Sequence, residues 1–132
     1  MGKSLKRRTI MTTSRGYQTG KHLEAFILLI LSQQPLHGGG VISRLKTILP
    51  PVWTIDDGHV YRLLRNLEAV GALESSWLTE EVGAPIRIYR LTDDGTVRLQ
   101  EWKEDIELRL TSLKTFLDLW ANPPKEPTDG TP

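Results

Sequence analysis

The run Asp56-Asp57-Gly58-His59-Val60-Tyr61-Arg62-Leu63-Leu64-Arg65-Asn66-Leu67-Glu68 decides the fold. Its apolar positions Val60, Leu63, Leu64 and Leu67 recur at three- and four-residue intervals, so a helix through them gathers one buried stripe. Asp56 or Asp57 can cap the first turn by accepting a backbone N–H that has no partner inside the helix. Gly71 can close the helix in the left-handed cap conformation. The other faces carry His59, Tyr61, Arg62, Arg65 and Asn66, all long hydrogen-bonding side chains turned away from the core.

Toward the C-terminus, Ala72 to Thr79 reads as a strand, Glu80 to Pro85 as a turn, and Ile86 to Leu91 as a returning strand. Leu73, Trp77, Tyr89 and Leu91 are expected to pack this ribbon back on the helices. Arg87 then sits near the tip and Arg90 further along the second strand.

Toward the N-terminus, a first helix is expected over Gly20 to Gln33, with Leu23, Phe26, Ile27, Ile30 and Leu31 on its buried side and Pro35 ending it. His37 precedes Gly38-Gly39-Gly40, a permissive turn leading into a second helix, Val41 to Leu49. That helix buries Val41, Ile42, Leu45 and Ile48 and exposes Ser43, Arg44 and Lys46. Pro50-Pro51 stop it, because proline lacks the donor and the residue before it resists the α region. Trp53 and Ile55 fill the corner before the third helix. Three short helices and a ribbon define a mostly α winged helix-turn-helix, in which the third helix enters the major groove of DNA.

The last helix starts at Thr92, a candidate N-cap, with Asp93 and Asp94 at the positive end of the helix dipole. It extends to Trp120, and Asn122-Pro123-Pro124 stop it. At roughly 1.5 Å per residue it is about 40 Å long, more than a small domain needs. Leu99, Trp102, Ile106, Leu110, Leu113, Leu117 and Trp120 form a seam stepped by three or four residues, the spacing of a coiled coil. This seam is expected to pair two copies of the chain. The organisation read from sequence is a basic flexible arm over 1–18, a winged helix-turn-helix over 19–92, a dimerisation helix over 93–121 and a disordered tail over 122–132.

The composition of the 132 residues, 39% hydrophobic and 25% charged, fits an ordinary globular protein. With no cysteine, disulfides, thiolate metal sites and cysteine nucleophiles are excluded. The longest apolar run, Ala25 to Leu31, is too short to cross a bilayer, so the expected location is the cytoplasm. The net charge of +1 conceals a basic N-terminal segment, where Lys3, Lys6, Arg7, Arg8, Arg15 and Lys21 meet no acid before Glu24. Such an arm can add phosphate contacts.

Enzymatic chemistry finds no foothold. His22, His37 and His59 lack metal-ligand spacing, and Gly38-Gly39-Gly40 lacks the Lys-Ser/Thr of a phosphate loop. Asp56 and Asp57 are adjacent, which does not set two carboxylates across a substrate. No catalytic residue, metal or cofactor is expected. For DNA, Arg62 and Arg65 can neutralise phosphates or fork onto guanine, while His59 and Asn66 can read base edges. Trp102, with Trp120 further on, can line a pocket that stacks planar ligands. An alternative is a winged-helix protein-interaction module without specific DNA binding, suggested by the apolar Ile86 and Ile88 on the wing.

Four runs together resemble the PadR family of transcriptional regulators, in its short form with a single C-terminal helix. They are Leu23 to Leu31 followed by Pro35-Leu36-His37-Gly38, Gly58 to Glu68, Gly71-Ala72-Leu73-Glu74-Ser75, and Tyr89-Arg90-Leu91-Thr92-Asp93-Asp94-Gly95. The resemblance implies a homodimeric repressor on a palindromic operator in double-stranded DNA. It brings the tyrosine matching Tyr61, its basic neighbours and the wing cation matching Arg87 to the DNA, and pairs the C-terminal helices across the dimer. It also implies release from DNA by a planar or aromatic effector near that interface. The chain departs from the family in three places. No aromatic follows His37-Gly38, Ile86 and Ile88 stand where basic or aromatic residues are common, and Asp56-Asp57 puts negative charge at the start of the third helix.

Overall fold

The computed structural model describes residues 22–79 and 83–125. The basic arm over 1–18, the middle of the wing turn and the end of the tail lie outside the described residues. The chain divides into two compact units, Met1–Leu99 and Gln100–Pro132. Among the described residues no helix is long and apolar enough to cross a membrane.

In the first unit, α1 is helical over 22–33. β1 (Leu36–His37), α2 (Gly38–Ile48), α3 (Asp57–Ala69), β2 (Leu73–Leu78) and β3 (Ile86–Leu91) follow, and α4 (Asp93–Ala121) begins there. The sheet is antiparallel with β3 in the middle, between β1 and β2. Helices α1, α2 and α3 with the base of this sheet form the mostly helical winged fold expected from the sequence.

The core is drawn from α1, α2, α3 and the ribbon. Leu23, Ile27, Leu28, Ile30 and Leu31 of α1 meet Val41 and Leu45 of α2, Val60, Leu64 and Leu67 of α3, and Leu73 and Tyr89 of the ribbon. α1 is buried on more sides than a single stripe requires: Ala25 and Leu28 are covered as well, while Phe26 is only half-buried. A helix apolar nearly all round belongs in the middle of a domain. Removing one of these side chains costs about 2–5 kcal/mol.

Two helix boundaries differ from the expectation. α2 starts at Gly38, not Val41, because His37 is held extended in β1 and serves as the N-cap. The three glycines therefore form its first turn. At the other end Leu49 leaves the helix in an extended conformation and turns its side chain into the core, so Leu49 is buried and Ile48 is exposed.

The ribbon also differs at one position. Paired residues of an antiparallel ladder share a face, so Leu73, Ser75 and Trp77 lie on the same side as Leu91, Tyr89 and Arg87. Leu73 and Tyr89 reach the core, and Leu91 is half-buried. Trp77 does not pack back: it remains 64% exposed. Its partner Arg87 stands beyond Tyr89, the last residue of this face to reach the core, so the outer half of the ribbon overhangs it.

Thr92 ties the start of α4 to the corner between α3 and β2. Its hydroxyl donates to the Gly71 carbonyl at 2.6 Å and accepts from the Gly95 N–H at 3.0 Å, while its own N–H donates to Ala72 O at 3.1 Å. Gly95 approaches that corner so closely that an added Cβ would collide with the Ala72 carbonyl. Nearby, Arg98 forks onto Glu24 at 2.7 and 3.2 Å, joining α4 to α1.

Among the described residues the second unit consists of the rest of α4 and residues 122–125. Lys103–Glu107 at 2.9 Å and Arg109–Asp105 at 2.6 Å support the helix at the favourable four-residue spacing.

Candidate nucleic-acid interface

α3 starts as its sequence indicates. Asp56 is the N-cap and accepts from the Gly58 N–H at 3.1 Å, and the chain leaves the helix through Gly71 at φ 85. Val60, Leu64 and Leu67 are buried and Leu63 half-buried, which fixes the rotation of the helix. The opposite face then presents two adjacent rows. His59, Arg62 and Asn66 follow a three- and four-residue step, and Tyr61 and Arg65 stand four apart beside them. His59 is half-buried, and the other four are exposed.

These cations are lightly held. Arg62 is 4.0 Å from Asp56, with both side chains mostly exposed, a pair worth little in water. Among the described residues Arg65 has no ion-pair partner. Both guanidiniums can therefore be redirected to phosphate or guanine without stranding a buried carboxylate.

Tyr61 has a structural neighbour that the sequence does not suggest. A Cβ on Gly38 would fall 3.0 Å from the Tyr61 Cζ and 3.1 Å from its Cδ1, so the ring occupies the space of the missing side chain. The His37 imidazole sits over the next two glycines, and the first turn of α2 carries no acid. The sequence does not signal this contact, because three glycines of low helix propensity read as a turn and not as the first turn of a helix.

Arg87 is placed differently from the helix residues. It shares the inward face of the ribbon with Leu73 and Tyr89 and is bound on several sides. Its Nε donates to Ser75 Oγ at 2.9 Å and its Nη2 to Glu68 Oε1 at 2.9 Å, while Ser75 Oγ donates to Glu68 Oε2 at 2.6 Å. Its guanidinium lies 5.6 Å from the Trp77 ring centre and 5.7 Å from that of Tyr89. Burial pushes the Tyr89 phenol above its ordinary value, and the Arg87 charge pulls the other way. Sequence reasoning misses Glu68 and Ser75 as site residues, because they are seven residues apart and no local period connects them. Arg90 faces the opposite way, exposed, with Nη1 3.2 Å from Ser76 Oγ.

Of the expected seam on α4, Leu99 and Trp102 are half-buried. Ile106, Leu110, Leu113, Leu117 and Trp120 are exposed, from 37% at Ile106 to 79% at Trp120. Leu108, Phe116 and Leu119 add further exposed apolar surface, and the Phe116 ring stacks on Trp120 with centroids 6.4 Å apart. Among the described residues no group of His, Asp or Glu is arranged to hold a metal ion.

Comparison with known proteins bears on the family and the fold. Residues 27–101 match the model of the Transcriptional regulator PadR-like family. A PadR family regulator from Eggerthella lenta DSM 2243 superposes with a TM-score of 0.69 at 24% identity, covering 86% of this chain and 96% of that one. A PadR-like regulator from Bacillus cereus ATCC 14579 gives 0.67 at 24% identity, covering 76% and 96%. One from Clostridium difficile R20291 gives 0.65 at 20% identity, covering 73% and 98%. At these identities the likeness establishes the fold. No curated protein matches the chain significantly. The family match runs from within α1 through α2, the α3 face and the ribbon to the start of α4: the chain belongs to the PadR-like family of transcriptional regulators, DNA-binding proteins and not enzymes.

Proposed function

We propose that this regulator is a homodimeric repressor working in the cytoplasm, which binds a palindromic operator by inserting α3 of each protomer into the major groove. The observation that carries this reading is the pair of exposed rows on α3. Arg62 and Arg65 supply phosphate or guanine contacts, His59 and Asn66 supply base-edge contacts, and Tyr61 stands between α3 and the start of α2. The exposed seam from Ile106 to Trp120 supports pairing through α4, since a contiguous apolar surface of this kind marks an association site. Trp102, half-buried on that helix, is the candidate to stack a planar effector that releases the DNA.

A second reading, a winged-helix module that binds protein and no specific DNA, draws on Trp77 and Leu78, exposed on the outer ribbon. Alanine at Arg62 or Arg65 separates the two. On the first reading each change weakens DNA binding and flattens its salt dependence by about 0.9 in log–log slope for every phosphate no longer neutralised. Unchanged affinity and slope in both variants would favour the interaction module.

A further inference from the structure

We propose that Arg87 serves DNA binding as a positioning residue, a clamp that fixes the wing against the recognition helix through Glu68 and Ser75, and not as a phosphate contact. The inference rests on the DNA-binding reading above and changes what the wing cation does within it.

The geometry is a closed ring. Both carboxylate oxygens of Glu68 are taken, one by Arg87 Nη2 at 2.9 Å and the other by Ser75 Oγ at 2.6 Å, and Arg87 Nε closes the ring on that hydroxyl at 2.9 Å. Glu68 is in the last turn of α3, Ser75 in the middle of β2 and Arg87 at the start of β3. Three elements are thus joined by three side chains. The guanidinium also lies close to the Trp77 and Tyr89 rings, and a cation over an aromatic ring is attracted to it.

The position of the ring explains why a clamp is needed. Leu73 and Tyr89 anchor the base of the ribbon in the core, but Trp77, Leu78 and Ile86 lie beyond it. A two-stranded ribbon is marginally stable alone, so its outer half needs an attachment if it is to keep one orientation. Arg87 provides that attachment where the ribbon leaves the core.

Electrostatics opposes release of the cation. Glu68 lies at the C-terminal end of α3, where the helix dipole already disfavours a carboxylate. Its side chain is only 27% exposed. If Arg87 moved to a phosphate, Glu68 would be left half-buried near a polyanion without a counter-ion, holding only the Ser75 hydroxyl. Removing one partner from such a pair is more unfavourable than the pair itself is favourable. Arg62 and Arg65 face no such penalty.

The test compares wild type with Arg87→Met, Arg87→Lys, Glu68→Ala and the Arg87→Met/Glu68→Ala double variant. Each full chain is titrated by fluorescence anisotropy against the duplex upstream of its own gene over a salt series. Amide hydrogen exchange of 73–78 and 86–91 is measured without DNA. For a clamp, Arg87→Met and Glu68→Ala each weaken binding by about tenfold, with the salt slope unchanged. The double variant is no weaker than either single, because both remove the same interaction. Lysine does not rescue, since one ammonium cannot reproduce the fork on Glu68 and Ser75. Exchange in both strands rises in every variant. A flatter salt slope in Arg87→Met, with affinity retained in Arg87→Lys and kept or increased in Glu68→Ala, overturns the proposal in favour of a phosphate contact. If wild type binds no DNA, the functional reading fails while exchange still judges the clamp: unaltered exchange in Arg87→Met and Glu68→Ala contradicts it.

Discussion

The ring of Tyr61 fills the space in which a side chain at Gly38 would lie, so the first residue of α2 and the exposed tyrosine of α3 are packed against each other. Alanine at Gly38 should improve intrinsic helix propensity by up to about 1 kcal/mol but force the ring away. The expected outcome of Gly38→Ala is a melting temperature within a few degrees of wild type and DNA affinity reduced by about tenfold. Calorimetry and anisotropy on the same sample check it. Full affinity with a displaced ring would show that Tyr61 is not positioned for DNA.

Asp56 has two separable roles. Its carboxylate caps α3 and, 4.0 Å from Arg62, places negative charge beside the proposed DNA contact. Asp56→Asn keeps the cap, since asparagine caps as well as aspartate, and removes the charge. It should leave thermal stability unchanged and tighten DNA binding at low salt. Asp56→Ala should lose about 1 kcal/mol of stability in urea unfolding. If both variants melt alike, the cap is not contributing as the geometry indicates.

Leu113 is at the middle of the exposed seam on α4. A charge there, in Leu113→Glu, should yield monomers in sedimentation velocity and lower operator affinity strongly, because one protomer reaches only half of a palindrome. Dimers that survive this substitution would place the pairing surface elsewhere.

Gly95→Ala should destabilise the first unit without touching the DNA face. The added methyl meets the Ala72 carbonyl and comes within 2.6 Å of Leu91 Cδ1. Overpacking of this kind costs about 1–3 kcal/mol. A shifted urea midpoint with an unchanged slope is the expected readout.

Much of this is legible in the sequence because it is local. The α3 stripe, an aspartate cap at Asp56 or Asp57, the Gly71 exit and the β3 limits Ile86–Leu91 follow from helical period, capping chemistry and turn residues, and the structure has them, with Asp56 as the cap. What escapes depends on distant partners. The glycines of α2 look like a loop until Tyr61 is set against Gly38, and Ile48 and Leu49 exchange places because the helix ends between them. Trp77 looks like core by alternation alone, yet the core ends before the strand does. Arg87 is legible as a wing cation, but its tie to Glu68 exists only once β3 is folded beside α3.

The most direct test of the central claim is a salt titration of binding to the DNA upstream of the gene, beside a scrambled fragment of equal length. The account predicts tighter binding to the native fragment, with affinity falling steeply as salt rises, about 0.9 in log–log slope for each phosphate neutralised. Equal, weak binding to both fragments would contradict self-regulation, and no binding even at low salt would contradict the assignment of α3 as a DNA-reading helix.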